Sequence, residues 1–100
     1  MYGSQNAKFI GLGLIPKPKP VDTTSAQVIR IAKFAVQKHN EDTGTKLVFI
    51  EVVGGVSWNV VAGTLCALII AAQDTKGTYW DKAVIRDAMF GYKKLVWYRH

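Results

Sequence analysis

Val28, Ile31, Ala32 and Ala35 recur at the spacing of one helix face, with Phe34 beside them and Arg30, Lys33, Gln37 and Lys38 filling the other side. Asp22-Thr23-Thr24-Ser25 supplies N-cap side chains ahead of this run, and Thr24 with Gln27 three residues later fits a capping box. Asn40 and the following Glu-Asp-Thr-Gly close it. An amphipathic helix is therefore expected over 24–39. After Gly44 the period changes to two. The stretch 46–53 is β-branched and aromatic, with Val48, Ile50 and Val52 expected on one face and Leu47, Phe49 and Glu51 on the other. Gly54-Gly55 predicts a bulge or bend within a strand that continues to 57. Further strands are expected over 64–73, 78–87 and 92–99, with Asp74-Thr75-Lys76-Gly77 as a turn. One helix followed by strands on short connections is an α+β pattern, and such connections join antiparallel neighbours. The helix is expected to pack on one face of the sheet. Residues 1–20 are expected to form an extended arm, either a solvated tail or one that presents Leu12 to Ile15 to a partner, because Pro16-Lys17-Pro18-Lys19-Pro20 favours polyproline II and excludes helix.

Two connections break the usual rule that loops between strands are polar. Trp58-Asn59-Val60-Val61-Ala62-Gly63 joins the first two long strands, and Ala88-Met89-Phe90-Gly91 joins the last two. Either the first pair of strands extends further, with Ser57-Trp58-Asn59 as the turn, or an apolar tip waits for a partner. In an antiparallel meander the first and third connections lie at the same end. If the arm passes that end, three apolar elements form one edge.

Composition narrows the class of protein. One hundred residues, 49% of them hydrophobic, make a single domain over 1–100, with the arm at 1–20 and a folded core at 21–100; a disordered chain is excluded. The longest apolar run, 60–72, falls short of the roughly twenty residues needed to cross a bilayer, so no membrane role is expected. The start of the chain has no charged segment leading into an apolar one, which leaves open a cytoplasmic protein or a mature secreted or vacuolar form. The net charge of +6 suggests an acidic partner, with nucleic acid the first to test. Only 92–99 interleaves cations with aromatics, however, and lysines on an edge strand also guard against aggregation. Nucleic acid is therefore not the expected partner. Cys66 sits mid-strand and reads as a buried, inert thiol. His39 and His100 lack paired carboxylates nearby in sequence, and no glycine-rich phosphate loop occurs. No enzyme, metal site or cofactor is expected.

Ile31-Ala-Lys-Phe-Ala-Val-Gln-Lys-His-Asn40 resembles the helix signature of plant cystatins, the phytocystatins. Asn59-Val-Val-Ala-Gly63 resembles their Gln-Val-Val-Ala-Gly hairpin loop, and Gly11-Leu-Gly13 resembles their N-terminal glycine trunk. The order and spacing agree over 11–98. The resemblance implies one long helix across a four- or five-stranded antiparallel sheet, and tight, reversible inhibition of papain-like cysteine proteases. It implies that a trunk (Gly13, Leu14), a first loop (Asn59, Val60, Val61, Ala62, Gly63) and a second loop (Ala88, Met89, Phe90) enter the protease cleft. Two departures stand out: Asn59 replaces the usual glutamine, and Ala88-Met89-Phe90 stands where Pro-Trp is usual. They motivate an alternative, a cystatin-like binding module that has lost inhibition. A monomer is expected, with exchange of the first hairpin as the route to a dimer.

Overall fold

The computed structural model describes residues 17–88 and 91–100. Strand β1 (Lys19–Pro20) precedes helix α1 (Ala26–Thr43), and four strands follow: β2 (Val48–Val60), β3 (Gly63–Asp74), β4 (Gly77–Ala88) and β5 (Lys93–Arg99). They form one antiparallel sheet in the order β1-β2-β3-β4-β5. One helix against a five-stranded antiparallel sheet is the expected cystatin-like α+β architecture.

The helix starts at the Ser25 cap, whose side-chain oxygen accepts from the Val28 amide at 3.4 Å. Thr24 is not the cap; its amide and hydroxyl both donate to Asp22 in a turn that precedes the helix. Those bonds hold the exposed Asp22 carboxyl below its ordinary range. At the other end the helix runs four residues beyond 39, to Gly44, whose φ of 73° lets its amide bond back to Asn40. Asn40 then reaches across the loop: its side chain donates to the Leu47 carbonyl and accepts from the Leu47 amide, each at 2.9 Å. This pair of bonds fixes where β2 begins.

The stripe Ile31, Ala32, Ala35 and Val36 is buried against Val52, Cys66, Leu68, Ile70, Ala72, Ala83 and Ile85. Cys66 lies within this core, where burial pushes its thiol up. Register shifts fall between Phe49 and Glu51 and between Val52 and Gly54, so Ile50 and Val53 are the unpaired residues, ahead of the expected glycine pair. The first shift also overturns the expected faces of β2. Leu47, Phe49 and Val52 join the core, whereas Val48, Ile50 and Glu51 are exposed. One extra residue inverts the side chains beyond it, until the second shift restores the alternation.

Among the described residues no helix covers the other sheet face. Strand register places Trp58, Leu65, Arg86 and Lys94 in one row there, and Val56, Ala67, Val84 and Trp97 in the next. Trp80 lies further along the same face and is 70% exposed.

At the end of the sheet near the β3–β4 turn, Asp81 is 0% exposed. Tyr98 donates to it at 2.6 Å and His100 Nδ1 approaches at 2.8 Å, while His100 Nε2 meets Asp74 at 2.9 Å. His39 stacks on Tyr98 with ring centroids 4.2 Å apart. The bonds to Asp74 and then Asp81 raise the His100 pKa; burial lowers that of His39. A raised histidine contributes stability that is complete below its unfolded value, near 6.5, and is lost as pH rises through the folded value. His39 acts in the opposite sense, its contribution fading as pH falls below that same value. Subtracting the melting curve of His100→Gln isolates the first effect. We expect the wild-type advantage in Tm to be a few degrees at pH 6 and to shrink steadily toward pH 9, measured by circular dichroism.

Candidate functional site

The long β2–β3 hairpin ends in a two-residue turn. Val60 and Gly63 form its last ladder pair, leaving Val61 and Ala62 at the tip. Both strands extend past their expected limits, so neither the six-residue connection nor a turn at Ser57-Trp58-Asn59 occurs. Val61 is 85% exposed, and Ala62 is exposed with φ of 60°. A non-glycine residue in that conformation costs about 1–2 kcal/mol. The tip is held nonetheless. Arg86 Nη2, from β4, donates to the Val61 carbonyl at 2.7 Å. That charge-assisted bond ties the turn to the next strand and offsets part of the backbone strain.

Gly63 brings the second connection against the first. It pairs with Ala88, the last residue of β4, and a Cβ built on Gly63 would lie 2.6 Å from the Asp87 carbonyl oxygen and 2.8 Å from Ala88 Cα. Only a residue without a side chain allows that approach. The Ala88 amide bonds the Tyr92 carbonyl at 2.7 Å, which closes the β4–β5 connection. Beneath it Asp87 receives Gln27 Nε2 at 3.3 Å and faces Lys93 Nζ at 3.7 Å, linking the helix start, β4 and β5. The arm arrives at the same end: Lys19 pairs with Ser57, and Lys17 lines a recess with Trp58 and Asn59.

The structure thus brings Asn59, Val60, Val61, Ala62, Gly63 and Ala88 together at one end of the sheet. Gly13, Leu14, Met89 and Phe90 lie outside the described residues. Sequence reasoning missed Arg86 and the Gln27–Asp87–Lys93 bridge. The signal was a cation on the open face of the strand preceding the second connection, and only the strand register connects it to Val61. Among the described residues no group of three His, Cys, Asp or Glu could hold a metal ion. No described helix is long and apolar enough to cross a membrane.

A helix held against a five-stranded antiparallel sheet, with an apolar hairpin tip exposed at one end, defines a cystatin-like α+β scaffold. The chain belongs to the aspartic acid proteinase inhibitor family, whose model matches residues 21–100. It is also 41% identical over 71 residues to cysteine proteinase inhibitor 1 of Actinidia chinensis var. chinensis, an alignment covering 64% of this chain and 60% of that protein. The chain thus spans about 60% of the length of the curated relative it matches.

The Arg86 bond gives a direct expectation. Arg86→Met should leave Tm nearly unchanged, because the side chain lies outside the core. The amides of Ala62 and Gly63 should exchange with solvent about three- to tenfold faster. Hydrogen exchange followed by NMR checks this; unaltered exchange would show that the turn holds itself.

Proposed function

We propose that this protein is a reversible inhibitor of papain-like cysteine proteases and that its β2–β3 tip is the central element entering the cleft. One observation carries the reading: Val61 projects almost fully exposed from a turn whose backbone is fixed by Arg86 and by the close approach of Ala88. An exposed apolar side chain on a fixed backbone binds without a large ordering cost. The similarity to a protein named cysteine proteinase inhibitor 1 points the same way.

In this reading Val60, Val61 and Ala62 displace water from the cleft and cover the catalytic thiol. Ala88 with Met89 and Phe90 forms the second contact, and Gly13 and Leu14 the third. The inhibitor contributes no chemistry and offers no bond positioned for attack. The family match favours a second reading, in which the same tip engages an aspartic protease.

Parallel titrations of papain and pepsin with the chain separate the two. The first reading predicts loss of papain activity with one-to-one stoichiometry and an uncleaved inhibitor; inhibition confined to pepsin would establish the second. Val61→Asp should weaken papain binding by about 2 kcal/mol, roughly thirtyfold in the inhibition constant, because it buries an unpaired carboxylate. Equal inhibition by the variant would remove the tip from the contact.

A further inference from the structure

The positive charge is concentrated at one end of an elongated molecule, with principal extents of 54 × 28 × 25 Å. Along the chain the lysines look scattered; the fold gathers them. Lys17 and Lys19 flank Trp58 and Asn59 on the arm side of the tip. Arg86 and Lys94 share the open-face row behind the tip. Arg30 and Lys93 line a recess of about 470 Å³ with Gly91 and Tyr92, beside the second connection. Against these six cations this end carries two acids, Asp87, which already faces Lys93, and Asp22 beside the helix cap.

The far end is close to neutral. Glu41 and Asp42 lie in the last helical turn, and Asp74 and Asp81 lie at or near the β3–β4 turn. Glu51 pairs with Ala71, toward the same end. Lys38, Lys46 and Lys76 offset them in part, Lys38 through a 3.3 Å bridge to Asp42. Lys33 falls between the two ends, as do the register partners Lys82 and Arg99. The screening length at physiological salt is about 8 Å. The long axis is several times that, so a partner approaching the tip meets the cationic end largely unopposed.

We infer that the tip end is a cationic collar that selects proteases with acidic residues around the rim of the cleft and speeds their capture. This rests on the proposed function, whose site it surrounds. The collar flanks the apolar tip on both sides and belongs to no core or catalytic arrangement. Charges placed around an apolar contact act on the encounter more than on the final complex. Their effect belongs to the association rate, where steering gains tenfold or more at low salt and fades as salt rises. A second copy docking tip to tip would oppose cation to cation, so the collar also disfavours that pairing.

The experiment uses the full chain and two papain-type proteases, one with acidic and one with basic residues around its cleft. Association and dissociation rates are measured by stopped flow from low to high salt. For the acidic-rimmed enzyme we expect the association rate to fall about tenfold over that range, with dissociation nearly constant. Lys19→Glu combined with Lys94→Glu should lower the low-salt association rate by about tenfold and converge with wild type at high salt. The charge reversal Lys76→Glu at the far turn should change it less than about twofold. Circular dichroism confirms that each variant is folded. Association with the acidic-rimmed enzyme that is indifferent to salt, or equally affected by the tip and far-end reversals, overturns the collar while leaving inhibition standing. Failure of both enzymes to form a complex overturns the proposed function and the collar together. Salt-dependent capture of single-stranded RNA, with no rate difference between the two proteases, overturns the choice of partner.

Discussion

Close packing of one helix stripe against the sheet is the constraint from which the rest of the molecule follows. Ala32 and Ala35 are fully buried, and their small side chains allow the helix backbone to approach the strands. Ile31 and Val36 flank them and fill the space above Leu68, Ile70 and Ile85. A larger residue at either alanine would push the helix away from the sheet. Asn40 and Gly44 then fix where the chain leaves the helix and where β2 starts. Once that start is fixed, two bulges and a ladder of pairs carry β2 as far as Val60. The position of the tip is therefore a consequence of the core.

The two ends of the sheet are held by different means. Near the β3–β4 turn a buried carboxylate is enclosed by Tyr98 and His100, with aromatic rings stacked around it, so polar order replaces apolar packing there. At the opposite end the apolar side chains are outside and the polar bonds hold the backbone beneath them. That inversion is the physical ground for the contact proposed at the tip.

Much of the fold was legible because the periods are clear. The apolar stripe from Val28 to Ala35 is helical, the later segments alternate, and short connections require antiparallel neighbours. The errors have local causes. Thr24 and Ser25 are both good caps, and the bond from Ser25 to the Val28 amide decided between them. The faces of β2 were misassigned because a bulge at Ile50 leaves no trace in the pattern of residue types. The hairpin turn was misplaced because Ala62 adopts a left-handed conformation that sequence reasoning reserves for glycine or asparagine. The candidate site was legible as an apolar connection lying beside the second one, but not as a two-residue turn. The Arg86 bond and the polarity of charge were hidden because both join residues far apart in sequence, brought together by a register that only the folded sheet specifies.

The side chain of Val61 has an unusual freedom. The turn that presents it is fixed through backbone atoms, by the Arg86 bond to the Val61 carbonyl and by the absence of a side chain at Gly63. The side chain itself supports nothing in the scaffold. Changes there should consequently alter what the tip presents to its surroundings without a toll in folding.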